Sequence, residues 1–335
     1  MNHPLVSVII TSYNHEKYIR QAIEGCLAQK TSFDYDIIIH DDASTDQTAN
    51  IIREYTKAFP EKIIPILQNE NQWSKGVNKF SDFILPTSKG KYLARCEGDD
   101  YWIDPKKLEK QVSVMEKDPD IIMCFTATLR EFVRNNRKKI PWRYYRLSRY
   151  VPTKHAILRG GEMSDLVSTM IRKEIYQDIP EWYHQFPAGD VALNLLAATR
   201  GKIFYLDEIT AVYRAGVNDS ATRKKLEDPQ RQKQVIKKSL DARISFNEFT
   251  HYAYQPYIIK RLRNGIKHYL FLSSDNKVQF IIDHYGSWLS AFDLIEYRII
   301  KTLGAYQLWR KYRYLLRLIT QKRWRYLLFF RFFPS

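Results

Sequence analysis

Cysteine is scarce: three residues in 335, Cys26, Cys96 and Cys124, odd in number and widely spaced. That leaves no disulfide framework or cysteine-based zinc site to expect, and it suits a reducing, cytoplasmic compartment. Glycine and proline are few, 12 and 13 residues, and with 44% hydrophobic and 27% charged residues the composition excludes collagen-like and disordered chains. No run of about 18 apolar residues occurs, which excludes an ordinary transmembrane helix. The opening MNHPLVSVIITSYN has no basic region ahead of its short apolar run, and reads as a strand rather than an export leader. Neither HExxH nor Gly-x-Ser-x-Gly is present and the eight histidines form no close pair, so zinc and serine-hydrolase chemistry lack residues. Negative charge is also short. With 37 Asp and Glu against 53 Lys and Arg, the formal charge of +16 calls for an anionic partner: nucleic acid, an anionic membrane surface or a phosphorylated ligand.

What is present has a regular order. VSVII at 6–10 is a β-branched run, and Ile19, Ile23 and Leu27 then recur at helical spacing. YDIIIH at 35–40 repeats the unit, with Ser44 or Thr45 as expected cap of a helix running to Ala58. A third strand at 63–67, a helix around 77–85 and a fourth strand at 91–95 continue it, followed by a helix at 106–117 and a strand at 121–125. Alternation of this kind predicts an α/β fold, a mostly parallel sheet flanked by helices. Residues 130–159, rich in Arg, Lys and Tyr with weak periodicity, read as exposed or mobile. Helical pattern dominates from about Asp228.

Ligands of such sheets bind beyond the carboxyl ends of the strands, so Thr11–Asn14, Asp41–Asp46 and Glu97–Asp100 fall on one rim. Against the basic balance of the chain, CEGDDYW at 96–102 sets three carboxylates within four residues. An isolated Asp-Asp pair at a strand end is usually a cap and a solvated partner. Here the neighbouring clusters favour a hard divalent cation, Mn2+ or Mg2+, held by Glu97, Asp99 and Asp100 together with substrate phosphate oxygens. Such an ion would stabilise charge on a departing nucleotide.

VSVIITSYNHEKYIRQAIEGCLAQ, YDIIIHDDASTDQTANII and GKYLARCEGDDYWIDPKKLEKQV, in this order and spacing, resemble the successive signatures of family 2 inverting glycosyltransferases with the GT-A fold. The likeness covers about residues 4–215. It implies a GT-A, Rossmann-like catalytic domain over 1–220, with a nucleotide-sugar half to about 125 and an acceptor half from 126, and a helical basic extension over 221–335. It implies a nucleotide-diphosphate sugar donor, a UDP-sugar first, and a glycan or lipid-linked acceptor in surface-polysaccharide synthesis. By the same resemblance Thr11 and Tyr13 contact the nucleotide base, Asp42 accepts a hydrogen bond from it and Asp41 supports. Asp100 leads as metal ligand, Asp99 serves ribose or diphosphate, and Trp102 is a candidate for the sugar pocket. The acceptor hydroxyl needs a general base, and the resemblance assigns it to Asp190 in FPAGDVAL, 186–193; without the upstream motifs that residue would read as a helix cap. Lys75 is a candidate for the diphosphate, although a solvated lysine is the simpler reading. Gly216 stands where many relatives carry histidine. Gln321-Lys322-Arg323-Trp324 falls one residue short of the processive Gln-x-x-Arg-Trp, so addition of a single sugar is expected.

The positive charge gathers at the end. Residues 298–335 hold ten Lys or Arg, no acid and ten aromatics. On a helical wheel Ala305, Leu308, Tyr312, Leu315, Leu316 and Ile319 oppose Arg310, Arg313 and Arg317. Peripheral attachment to an anionic membrane, at the inner face of the plasma membrane, is expected; a helix packed on protein weighs equally. Two other functions compete. A sugar nucleotidyltransferase would share the α/β domain but lacks its Gly-rich phosphate loop here, and a nucleic-acid-binding protein would use the tail but not the acidic rim, so no nucleic-acid partner is expected.

Overall fold

The computed structural model describes residues 3–133, 138–160, 163–217, 229–272 and 275–302. The expected tail therefore lies outside the described residues beyond Thr302.

The first hundred residues alternate as the apolar runs dictate: β1 (Val6–Ser12), α1 (Ile19–Leu27), β2 (Tyr35–Asp41), α2 (Thr48–Ala58), β3 (Ile63–Leu67), a π turn at Phe80–Ile84 continuing into α3 (Leu85–Thr87), and β4 (Tyr92–Glu97). β1, β2 and β4 are buried along almost their whole length, which is why β1 and β2 read as β-branched runs rather than alternating ones. β5 (Tyr101–Trp102), α4 (Lys107–Lys117), β6 (Ile121–Phe132), β7 (Lys138–Trp142), β8 (Arg149–Val151), α5 (Thr153–Arg159), β9 (Thr169–Arg172), α6 (Glu181–Gln185), α7 (Gly189–Arg200) and β10 (Lys202–Ala215) follow. Then come α8 (Pro229–Phe249), α9 (Gln255–Leu272), α10 (Asp275–Tyr285) and α11 (Ala291–Thr302).

Among the described residues the strands form one sheet in the order β3-β2-β1-β4-β9-β6-β10-β5, with β7 on β6 and β8 on β10. The β3-β2-β1-β4 block is parallel. β9 then runs antiparallel between β4 and β6, and β5 antiparallel to β10, so the sheet is mixed at its far side.

Of the segment 130–159, expected to be exposed or mobile, the described part from 138 is exposed over much of 138–150 but ordered. β7 and β8 pair with β6 and β10, and Tyr144 and Tyr145 pack edge-on against Tyr205, with ring centroids 6.3 and 5.8 Å away. Arg149 and Arg159 lie over Tyr145 and Tyr144 at 5.0 and 5.4 Å. Cation–π and aromatic packing have no sequence period, which hid the order. α2 also begins later than Ser44 or Thr45 would place it. Asp46 accepts the backbone N–H of Thr48 at 2.9 Å instead, releasing Ser44 and Thr45 for the neighbouring loop.

One apolar cluster lies beneath the parallel block, around Val8, Ile23, Ile37, Ile52 and Leu108. A larger one starts at Leu93, Phe125 and Tyr205 and runs through Trp182 and Phe246 to Leu262, Tyr285 and Tyr297. Each such buried side chain is worth about 1.5–3 kcal/mol. The second cluster therefore fixes the C-terminal helices to the β6–β10 side as one core, and Arg261 of α9 adds a 2.6 Å hydrogen bond to the carbonyl of Arg159.

Candidate active site

The parallel register aligns Thr11 with His40 on one side and with Glu97 on the other, so the loops after β1, β2 and β4 leave the sheet side by side. They are cross-tied. Asp41 Oδ1 accepts from the hydroxyls of Ser12 and Ser44 at 3.0 and 2.5 Å, and its Oδ2 from the Ser44 N–H at 3.0 Å. Asn14 and Ala43 sit in the left-handed region at φ 55 and 59°. Asn14 is compensated, since its Oδ1 takes the Thr45 N–H at 2.8 Å, whereas Ala43 has no side chain to do so and carries about 1–2 kcal/mol of strain. Asp46 receives Glu16 N–H at 3.1 Å. Asp41 and Asp46 thus hold the rim together. Thr11 and Tyr13 stand part-exposed on it.

Asp42 is buried, 1% exposed, and already engaged: its oxygens accept the backbone N–H groups of Gln72 and Trp73 at 2.8 and 3.3 Å. It therefore anchors the 69–79 loop while a carboxylate's further lone pairs remain for a ligand. Lys75 is exposed and paired with Glu70, as the simpler reading held. The lysine that reaches Asp42 is Lys79, with Nζ 3.7 Å from Asp42 Oδ2. Burial holds its pKa below the ordinary value, against the pull of Asp42 and Glu97. The sequence reading passed over it, although a lysine one residue ahead of a helix that starts at the strand-end rim is a readable signal.

The acid loop is built by close approach. A Cβ on Gly98 would lie 2.8 Å from His15 Nδ1 and 3.1 Å from Ser12 Cβ, so only glycine lets the loop settle on the β1 turn, where its N–H donates to Thr11 O at 2.9 Å. Arg214, on β10, clamps it from behind. Its guanidinium donates to the Asp99 carbonyl at 2.7 Å and to Gln21 Oε1, and its own N–H donates to Asp100 Oδ1 at 2.7 Å. The guanidinium is stacked 4.3 Å over Tyr101 and stands 3.3 Å from the Glu131 carboxylate. Nothing in the sequence singled out Arg214 for this, because its partners are 83 to 193 residues away.

The three carboxylates differ. Asp100 is 2% exposed, and burial, then the charges of Asp99 and Glu97, push its pKa well up. Glu97 is raised by burial, lowered by Arg95 and raised by Asp99 and Asp190. Its Oε1 lies 3.6 Å from Arg95, while Oε2 is buried with no hydrogen-bond partner among the described residues. Asp99 is half-buried. Among the described residues no group of three or more His, Cys, Asp or Glu side chains is arranged to hold a metal. The expected cage of Glu97, Asp99 and Asp100 is therefore not formed: Asp100 is turned to the Arg214 N–H. The orphaned Glu97 oxygen and part-exposed Asp99 still fit a hard cation that takes one or two carboxylates and completes its shell from phosphate.

Asp190 lies in the first turn of α7, with Oδ1 2.8 Å from the Val191 N–H, where the helix dipole favours a carboxylate. Its charge helps raise the Glu97 carboxyl, so Asp190 lies within electrostatic reach of the acid loop. Trp102 does not stand at the surface of that rim. It is 3% exposed, its Nε1 donates to Val167 O at 2.9 Å, Lys107 Nζ lies 4.3 Å over the ring, and its backbone packs so tightly on α1 that a Cβ on Gly25 would stand 2.7 Å from Trp102 O. Its apolar area draws it into the core instead of the sugar pocket.

Residues 7–179 match the family described as Glycosyl transferase family 2. An uncharacterised protein of Mycobacterium tuberculosis is 36% identical over 215 residues, 62% of this chain and 58% of its own length, so the chain spans a little over half of such curated relatives. A UDP-Glc:alpha-D-GlcNAc-diphosphoundecaprenol beta-1,3-glucosyltransferase of Escherichia coli is 38% identical over 114 residues, 34% of this chain and 42% of that one. Two solved structures share the fold. Staphylococcus aureus TarS 1–349, solved with UDP-GlcNAc, has TM-score 0.57 at 17% identity, over 90% of this chain and 91% of its own. A Pyrobaculum calidifontis mannosyltransferase, solved with GDP-Man and Mn2+, has TM-score 0.54 at 14% identity, over 96% and 85%. The GT-A architecture expected from the three signatures is the one observed. With more than half its length inside the matched region, the chain belongs to glycosyl transferase family 2.

Proposed function

We propose that the protein is an inverting glycosyltransferase that moves one sugar from a nucleotide-diphosphate donor, a UDP-sugar first, to a hydroxyl of a glycan or lipid-linked acceptor in cell-surface polysaccharide synthesis. The observation that carries this reading is the alignment of the loops after β1, β2 and β4 on one rim, where the buried Oε2 of Glu97 has no hydrogen-bond partner among the described residues and the charge of Asp190 is felt by Glu97. Relatives support the donor class: TarS was solved with UDP-GlcNAc, and the E. coli relative is named for UDP-Glc and a diphosphoundecaprenol acceptor.

In this reading Thr11, Tyr13 and Asp42 receive the base, and Lys79 and Asp99 meet the diphosphate and ribose. Asp190 takes the proton of the acceptor hydroxyl as its oxygen bonds to the anomeric carbon. The bond from that carbon to the diphosphate oxygen breaks on the opposite face, the electron pair leaves with the nucleoside diphosphate, and configuration inverts. Glu97 and Asp99, with Asp100 behind them, are the residues that would hold Mn2+ or Mg2+, which supplies Lewis-acid stabilisation of the leaving diphosphate. Membrane attachment at the cytoplasmic face belongs to the same reading; among the described residues no helix is long and apolar enough to cross a membrane.

The test is donor hydrolysis and thermal shift across UDP-, GDP- and dTDP-sugars, with Mn2+ and after chelation. Response to a UDP-sugar that chelation weakens is expected, and silence across all three donor classes sinks the reading. Asp190→Asn is expected to lower turnover by about 10²–10⁴-fold with donor binding retained; unchanged turnover removes the base assignment.

A further inference from the structure

Helix α11 is capped by a reciprocal box, in which Ser290 Oγ accepts the Asp293 N–H at 3.2 Å while Asp293 Oδ2 takes the Ser290 N–H at 3.0 Å. Its inner face packs through Tyr297 and Ile300. Both of its acids are spent inward. Lys267 of α9 is buried between Asp293 and Glu296, at 2.8 and 2.7 Å, and Arg263 adds a contact to Asp293 at 3.4 Å.

The outward face is the reverse of that. Phe292, Ile295 and Ile299, at i, i+3 and i+7, are 73, 54 and 53% exposed, three of the most exposed large apolar side chains among the described residues. Arg298 and Lys301 are exposed beside them. A helix with its apolar stripe outward, bordered by bases, with both of its acids paired to the cations of α9, is the pattern that settles at an anionic lipid interface. A second copy is disfavoured by the same charges, since a two-fold contact would bring Arg298 and Lys301 toward their own counterparts on a chain of formal charge +16.

We propose that the outer face of α11, Phe292, Ile295 and Ile299 with Arg298 and Lys301, is a docking surface for an anionic membrane. This rests on the membrane attachment in the reading above and not on its chemistry. It moves the contact from the tail alone onto the folded body, continuous with the eight Lys and Arg of 303–335, where no acid occurs. Lipid-linked acceptors would then meet a protein held by a rigid helix rather than a tether.

The experiment is co-sedimentation of the full chain with phosphatidylcholine vesicles with and without phosphatidylglycerol. Wild type is expected on the phosphatidylglycerol vesicles, and Phe292→Ser, Ile295→Ser and Ile299→Ser together are expected to lower the partition coefficient by about tenfold or more, with the thermal midpoint unmoved because the three are exposed. Arg298→Glu with Lys301→Glu should weaken binding to the anionic vesicles and flatten its salt dependence, which keeps the proposal open to refutation if the triple variant misfolds. Equal partition of wild type and both variants overturns the surface while leaving attachment standing. Absence of wild-type binding to either vesicle overturns both, and donor hydrolysis is read separately. Dye on Ile295→Cys, selective because Cys26, Cys96 and Cys124 are buried, gives the remaining outcomes. A blue shift on adding anionic vesicles supports the proposal; a blue shift already present without lipid, in monomer or dimer, means protein covers the face and overturns it.

Discussion

The acid loop and α11 use similar residues in opposite senses. At Glu97–Asp100 negative charge is gathered on buried or half-buried carboxylates, with a cation clamped behind them and one buried oxygen left without a partner among the described residues. At α11 the acids are neutralised from inside by Lys267, and what faces outward is apolar or basic. The difference is in which partner was brought near, and in the proposed reading it separates a site for a cation from a surface for anions. Both depend on one buried cation, Arg214 or Lys267, aimed by a distant element.

The comparison breaks hardest at Arg214. Arg214→Met should cost about 3–5 kcal/mol, because Glu131 is left as an unpaired buried charge and the Asp99 carbonyl loses its guanidinium donor, while the backbone N–H to Asp100 is kept. Denaturant unfolding checks the loss, and donor affinity should fall with it; a variant of wild-type stability would show the clamp to be incidental. Gly98→Ala sharpens the same side. The added methyl meets His15, Ile19 and Ser12, so about 1–3 kcal/mol of overpacking is expected, together with weaker donor binding in calorimetry. The smallest effect lies on the α11 side. Burial alone would raise Asp293, but hydrogen bonds from Lys267 and Ser290 bring it down to about 2. A depressed carboxyl stabilises above its unfolded pKa, so the contribution is present above about pH 4 and lost as pH falls through about 2. Asp293→Asn should cost about 1–2 kcal/mol at neutral pH and remove that acid limb from the stability profile; an unchanged limb would mean the pair stabilises nothing.

Legibility followed physical cause. Strand-end motifs were readable because a parallel sheet puts consecutive strand ends on one rim, so Asp41, Asp42, Glu97 and Asp99 could be placed together from their order. Helix α7 was readable from its period, and Asp190 at its start. Lys79 and Arg214 were not singled out, since each owes its role to approach across the fold. Trp102 was readable as an aromatic after a strand, but whether it faces cleft or core depends on Val167 and Gly25, far along the chain. The order of 138–159 was hidden because tyrosine–arginine packing has no period. In α11 the apolar residues alternate with charge at ordinary helical spacing, and only the position of α9 decides which face stays uncovered.

The continuity of the sheet has a mechanical consequence. β9 joins β4 to β6, and β5 joins the acid loop to β10 at Trp102 and Ala211, so the β3-β2-β1-β4 block and the β6–β10 side share hydrogen-bonded ladders. Such a body has no hinge to open. In the proposed reading substrate entry and product exit fall to the rim loops, and on donor binding amide exchange should slow at 12–18, 42–48 and 69–79 while β4, β9 and β6 keep their protection.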